Sequence, residues 1–471
     1  MFVCRDKELE ELQYRYDGGK FECMIIYGRR RVGKTALINE FCKDKDVIYY
    51  PALKETTQGN LEVLSAAIQE YKDPKAAGNI VYGSFQDAFQ EIGRLSEEKR
   101  IVFVIDEFPY LAKADQSIAS RLQHLIDLSW KNGKMFLILC GSSVSFMEDQ
   151  VLAYESPLYG RRTGQIKLEP LNYLETSEMN PGLDPETQSL VYGITGGIPL
   201  YVEKLDVRSD IDQALLRNLF NPASYLYEEP ENLLRQELRE PAVYNSVVKA
   251  VADGATKLGE IATRAGIDKS SCSTYVKTLM NLGIICKETP ANEKEGSKSI
   301  YKINDHFFRF WYRFVPRNIA AIQTGRISKI YRTSVKEHLH QYMGTVFEDM
   351  CAQYILNYME ELPIELSALK RWWGTDPKEH KAIEIDLIGM PVKENRKRSK
   401  EYMAVSCKYR NRPASIADLK ELQEYCEVFD SNATYHYYIF SAFGFKEELA
   451  SLAETEGVKL VSLDDMYHHL T

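Results

Sequence analysis

Cys23-Met24-Ile25-Ile26-Tyr27, running straight into Gly28-Arg29-Arg30-Arg31-Val32-Gly33-Lys34-Thr35-Ala36, is the stretch that decides the fold of this chain. The apolar run reads as a buried strand. It passes without a linker into G-x-x-x-x-G-K-[ST], after which helical periodicity begins. In that setting the glycines let backbone amides curl around a phosphate, and the helix amino terminus adds its own N–H groups and dipole. Residues 28–36 are therefore expected to cradle a nucleotide: Gly28, Arg29, Arg30, Arg31, Val32, Gly33 and Ala36 line it, Lys34 reaches the β/γ-phosphates, and Thr35 ligates magnesium. The implied ligands are ATP and Mg2+.

Outward from this loop, from Phe21 to about Pro170, short β-rich runs alternate with amphipathic helical stretches, the pattern of a parallel sheet covered by helices. The predicted strands are Cys23–Tyr27, Asp46–Tyr50, Ile101–Ile105, Met135–Cys140 and Gln165–Glu169, and the stretches Leu61–Glu70 and Ile118–Trp130 carry apolar residues at helical steps. Ile101–Ile105 delivers Asp106 and Glu107 at its carboxyl end, where open α/β sheets bind ligands. Asp106 is expected to hold magnesium and Glu107 to orient and deprotonate the attacking water; a capping pair is the plainer alternative. Met135–Cys140 ends in Gly141-Ser142-Ser143, so Ser142 and Ser143 either sense the γ-phosphate or cap the next helix. Arg161 and Arg162 are either an arginine finger for a neighbouring site or a solvated pair.

The fold class is α/β, and five regions are expected. They are a P-loop core at 1–170, a helical lid at 171–236, a winged helix at 237–315, a helical connector at 316–343 and a second α/β domain at 344–471. Hydrophobic residues at 44% and charged residues at 27% describe an ordinary globular chain. No apolar run is long enough to span a membrane, and the early charges of Met-Phe-Val-Cys-Arg-Asp-Lys do not read as a secretory signal, so the expected location is the cytoplasm. Nine cysteines without a Cys-x-x-Cys pair read as reduced thiols. The net charge of −9 means that nucleic-acid binding would need a local basic patch.

With these residues assembled, the chain resembles the archaeal-type P-loop ATPases, an AAA+-related family neighbouring the STAND signalling ATPases. The matching elements are Phe2, Arg5, Glu8-Leu9 and Leu12, the phosphate loop, Asp106-Glu107, Gly141-Ser142-Ser143 and Gly196-Gly197-Ile198-Pro199. The resemblance implies an AAA+-like core with a nucleotide site between it and the lid. Arg5 would lie near the base, and Gly197 and Pro199 would sit in a turn facing the nucleotide. It also implies a homo-oligomer, and a carboxy-terminal domain similar to the PD-(D/E)xK nucleases.

Nucleases of that fold place an acid on a helix, an acid on a strand and an acid-x-Lys on the next strand, so that carboxylates bind magnesium and the lysine holds a phosphate or water. Glu348 and Asp386 match the first two positions, and Lys408 matches the lysine, but Ser406 stands where the third acid belongs. The expectation is a degenerate site with impaired cleavage unless Glu384 or Glu421 substitutes. Around it, Lys393, Arg396, Lys397, Arg398, Lys400, Lys408, Arg410 and Arg412 form a basic hairpin run that either tracks DNA phosphates or is a solvated face interleaved with Glu394 and Glu401. The winged helix carries only Lys269 and Lys277 on its recognition helix and suits DNA or a protein partner alike. Trp311, Trp372 and Trp373 either stack on bases or pack as core. Three functions are thus weighed: an ATPase coupling nucleotide state to the later domains on DNA, a regulatory switch with slow hydrolysis that binds a protein, and, ranked last, an active nuclease gated by ATP.

Overall fold

A computed structural model describes residues 2–73, 75, 80–208, 210–296, 298–359, 361–392 and 400–468. The chain divides into two compact units, the first Met1–Leu171 with Ile198–Leu200, the second Asn172–Gly197 with Tyr201–Thr471.

In the first unit, β1 (Glu22–Tyr27), β2 (Val47–Pro51), β3 (Val102–Asp106), β4 (Phe136–Gly141) and β5 (Gly164–Lys167) form one sheet in the order β2-β3-β4-β1-β5. Every pairing is parallel. Met24–Ile26, Val102–Ile105 and Phe136–Cys140 are fully buried, as the central strands of a parallel sheet covered on both faces must be. One face packs on Leu64, Ile68, Phe89, Ile92, Leu122 and Trp130, contributed by helices Thr57–Lys72, Phe85–Glu98 and Ile118–Leu128 and the turn after the last of these. The last helix stops at Leu128, earlier than its apolar periodicity predicts, because Trp130 turns into the core on a single 3₁₀ turn before Gly133.

Register sets the site. Tyr27 lies beside Gly141 and Ile105 beside Leu139, so the carboxyl ends of β1, β3 and β4 are level. Gly28, Asp106 and Ser142 therefore leave the sheet along one edge, with β4 between the phosphate-loop strand and the carboxylate strand.

The second unit begins with helices Tyr173–Glu178 and Pro185–Thr195, each started by a side chain that satisfies orphan amides: Asn172 in a capping box with Glu175, and Asp184 on the Thr187 amide. Helices Pro241–Ala252, Leu258–Ala265 and Lys269–Asn281 follow, then the antiparallel pair β6 (Ile285–Glu288) and β7 (Ile300–Ile303). After helix His306–Phe314 and the long helix Glu337–Asn357 come β8 (Leu366–Thr375), β9 (Ala382–Pro391), β10 (Glu401–Lys408), β11 (Thr434–Ser441) and β12 (Lys459–Ser462). They form a mixed sheet in the order β12-β11-β10-β9-β8, antiparallel across β8-β9-β10 and parallel across β10-β11-β12.

Among the described residues no helix is long and apolar enough to cross a membrane. All nine cysteines are free thiols.

Candidate functional site

Gly28 begins the loop at φ +152°, and a Cβ there would stand 2.3 Å from the Leu168 carbonyl oxygen, so no larger residue fits. Arg31 and Gly33 also take positive φ, at +73° and +99°, which bends the loop around its own centre. Val32 is fully buried beneath the loop, and Thr35 and Ala36 are exposed at the start of helix Lys34–Cys42. Lys34 closes the loop: its ammonium donates to the Gly28 and Arg29 carbonyls at 2.8 and 2.9 Å, and burial pushes its pKa down. Arg5 braces the outer side, donating to the Val32 carbonyl at 3.3 Å and the Glu169 carbonyl at 2.7 Å.

Facing the loop, Asp106 is tightly held. Its Oδ2 accepts from the Tyr49 hydroxyl and, at 3.3 Å, from the Thr35 hydroxyl, while Oδ1 accepts the Glu107 amide at 2.9 Å. Burial and the Asp106 charge raise the Tyr49 pKa, so the phenol stays a donor. Thr35 and Asp106 present the hydroxyl and carboxylate oxygens that Mg2+ takes, and they fit that ion. Glu107 adopts the left-handed backbone region, φ 52° and ψ 44°, at the head of helix Phe108–Ala114. Its Oε2 accepts from the Ser142 hydroxyl at 2.9 Å and more weakly from the Ser142 amide at 3.3 Å. Oε1 lies 3.8 Å from the Arg30 guanidinium, which donates to the Tyr110 hydroxyl at 2.6 Å. Tyr49, Tyr110 and the contact of Arg30 with Glu107 are features of the site the motifs do not spell; the position of Tyr49 near the end of the strand beside β3 is the signal available.

The remaining expected site residues have contacts or backbone geometry of their own. Ser143 heads a short turn and makes no capping bond through its side chain. Arg161 is fixed on Asp127 at 2.8 and 3.2 Å, and Arg162 donates to the Leu152 carbonyl at 3.1 Å. Gly196 and Gly197 are consecutive left-handed residues in the second unit, and Pro199, in the first, opens helix Pro199–Leu205.

In the second unit, carboxylate oxygens of Glu348, Glu384 and Asp386 lie within 4.8 Å of one another. Glu384 is the third carboxylate of this cluster, and Ser406 is not part of it. Glu384 is also paired with Arg371, which stands 3.7 Å from Glu288 of β6. Asp386 accepts the Cys407 amide at 2.6 Å, and Ser406 lies 3.5 Å from it. Burial, with Asp386 close by, raises the Glu348 pKa, and burial raises that of Asp386. Lys408 turns to Glu421 at 3.4 Å.

Of the basic run, Lys393, Arg396, Lys397 and Arg398 lie outside the described residues. Lys400 pairs with Asp430 and Arg410 with Asp418, while Arg412, Lys269 and Lys277 are exposed. Trp311 is buried and donates to the Tyr227 carbonyl, and Trp372 packs edge-on against Phe429, so these two are packing residues. Trp373 lies beneath the Arg371 guanidinium.

Comparison with known proteins agrees with this geometry. Residues 2–205 match a family described as an ATPase domain predominantly from Archaea, and residues 311–422 match one described as archaeal and bacterial proteins of unknown function. An uncharacterized protein of Methanocaldococcus jannaschii is 34% identical over 393 residues, covering 83% of this chain and 84% of its own length. An uncharacterized ATP-binding protein of the same organism is 49% identical over 47 residues, 10% of this chain and 80% of that protein. Among solved structures, a Walker-type ATPase of Pyrococcus abyssi superposes with a TM-score of 0.51 at 20% identity, covering 66% of this chain and 96% of that one.

Proposed function

The chain belongs to the archaeal-type P-loop ATPase family, and on that premise we propose that it is a magnesium-dependent ATPase in which nucleotide state in the first unit governs the second. The observation that carries this reading is the Glu107 carboxylate, held by Ser142 at the sheet edge from which the phosphate loop and Asp106 also emerge. A protein that only binds nucleotide has no need of a second acid at that point, whereas hydrolysis needs a group to orient and deprotonate water.

Lys34 is suited to leave the Gly28 and Arg29 carbonyls for the more strongly charged phosphates, and Thr35 and Asp106 would hold Mg2+, which supplies charge neutralisation when bound. Glu107 then takes the proton of the attacking water on an oriented carboxylate. Arg161 and Arg162 are engaged within their own unit, on Asp127 and on the Leu152 carbonyl.

Coupling to the second unit is supported by chain path: the backbone passes between the units at 171–172, 197–198 and 200–201, and two consecutive left-handed glycines precede the second passage. The helices Leu258–Ala265 and Lys269–Asn281 with the β6–β7 pair suit a winged helix, and the mixed sheet with Glu348, Asp386, Lys408 and a Glu384 paired with Arg371 suits a nuclease-like domain with impaired cleavage. Among the described residues of the basic run Lys400, Lys408 and Arg410 each pair with an acid, while Arg412 is exposed, and the chain carries a net charge of −9, a balance that favours a protein partner over DNA.

The test is steady-state ATP turnover of wild type, Lys34→Ala and Glu107→Gln, with and without mixed-sequence DNA at two salt concentrations. We expect a Lys34-dependent rate that drops by about a hundredfold or more in Glu107→Gln while ATP binding persists. A rate raised by DNA at low salt and not at high salt would instead favour the DNA-coupled reading. Turnover that survives Glu107→Gln removes the role given to that residue.

A further inference from the structure

Glu107 accepts hydrogen bonds at one oxygen and faces a cation at the other, and only the first of these contacts is the one expected at a strand end. Ser142 takes Oε2. Oε1 faces Arg30, a variable position of the phosphate loop, whose guanidinium is steadied from the far side by the Tyr110 hydroxyl at 2.6 Å. Tyr110 lies three residues after Glu107 in the same short helix, and its ring also lies near the guanidinium, 6.0 Å from centroid to carbon. The three groups therefore lie together: loop arginine, helix tyrosine, strand-end glutamate.

A surface ion pair contributes little to folding, and both partners here are about a quarter exposed, 22% for Arg30 and 25% for Glu107. Yet the backbone at Glu107 sits in a region that ordinary residues avoid. A strained acid held from two sides is the pattern of a carboxylate kept in one orientation for chemistry.

We propose that Arg30, anchored by Tyr110, is a positioning residue for Glu107, fixing the carboxylate so that its basic oxygen is presented to water in one orientation. The inference rests on the ATPase reading above. It assigns a task to a loop arginine that the phosphate-loop pattern leaves unspecified, and it gives Tyr110 a role through its hydroxyl alone.

The test is a kinetic and binding comparison of wild type with Arg30→Met, Arg30→Lys, Tyr110→Phe, Glu107→Gln and the double variant Arg30→Met/Glu107→Gln. ADP and ATP affinities are measured by calorimetry, kcat under saturating ATP, and single-turnover rates in the Gln background. We expect Arg30→Met to lower kcat by roughly tenfold or more with nucleotide affinity within about twofold of wild type. Arg30→Lys should recover part of the loss, and Tyr110→Phe, which keeps the ring, should lower kcat by a smaller factor. In the Glu107→Gln background Arg30→Met should change nothing further, because a glutamine gives it no base to position. An Arg30→Met enzyme with wild-type kcat, a loss confined to nucleotide affinity, or losses that multiply in the double variant would each overturn the assignment. Absence of Lys34-dependent turnover in wild type removes the ATPase reading and the positioning role together, whereas normal wild-type turnover with an indifferent Arg30→Met removes the positioning role alone.

Discussion

A methyl group at residue 28 has nowhere to go. The Cβ would meet the Leu168 carbonyl at 2.3 Å, and that carbonyl belongs to a backbone whose amide is itself fixed on Tyr27 at 2.7 Å, so neither side can yield cheaply. Gly28→Ala should therefore distort the loop rather than unfold the sheet, at a cost of about 1–3 kcal/mol for overpacking. The expected outcome is a melting temperature lowered by a few degrees and ATP affinity reduced at least tenfold, read by calorimetry; unchanged affinity would mean that the loop does not need its tight start. This part of the site is legible in sequence because one short segment spells it: the glycines, Lys34 and Thr35 act through their own backbone and neighbours. Tyr49 on Asp106 and Arg30 on Glu107 are not legible in that way, since each contact joins two separate segments and exists only once the strand order is set. Glu384 is an intermediate case. Its two-residue spacing from Asp386 puts both acids on one strand face, but only the fold brings Glu348 to them.

Elements were read from periodicity with success where the apolar run was long, as in the central strands, and with less where a short helix starts on an unusual residue. Helix Phe108–Ala114 begins after a left-handed glutamate, and nothing in its composition announces that. Helix His306–Phe314 carries a pH dependence at its first residue. The His306 imidazole is buried against Tyr192, its Nδ1 accepts from Arg309 at 2.6 Å, and its Nε2 lies 3.5 Å from Asp349, with Asp305 and Lys302 also near. Nδ1 accepts from a guanidinium that can only donate, so the ring is neutral and Asp349 is a nearby carboxylate rather than an ion-pair partner. Burial, with Arg309 beside it, pushes the His306 pKa down to about 4. An unfolded histidine titrates near about 6.5, so between there and 4 the unfolded chain takes up a proton that the folded one refuses. Stability is therefore full above about pH 6.5 and falls as the pH drops toward 4. The melting temperature of wild type should fall more steeply over that window than that of His306→Gln; parallel curves would remove this histidine as the cause. At β9 and β10, Ser406 replaces an acid and Arg371 already neutralises Glu384. We expect no divalent-dependent cleavage of single- or double-stranded DNA, and cleavage lost on Asp386→Ala or Lys408→Ala would show an active nuclease instead.

At the scale of the whole molecule the question is whether two units that fold around separate sheets respond to nucleotide as one. A ligand that binds only the native first unit stabilises it by RT ln(1 + [L]/Kd), about 2.7 kcal/mol at a hundredfold excess over Kd. If the units are energetically independent, that increment stays in the first, and calorimetry of Glu107→Gln with ATP and Mg2+ shows one transition moving up while the other stays. If nucleotide state governs the second unit, both transitions move, or merge into one. The Gln variant is the right protein because it holds ATP without consuming it during the scan. Hydrogen exchange under the same conditions locates the response: coupling carried by the chain predicts added protection first at 172–197 and in helix Pro199–Leu205, which begins in one unit and ends in the other. Protection confined to residues before 171, with a stationary second transition, would make the chain an ATPase joined to an independent carboxy-terminal unit, and the switch reading would fall while the hydrolytic site stood.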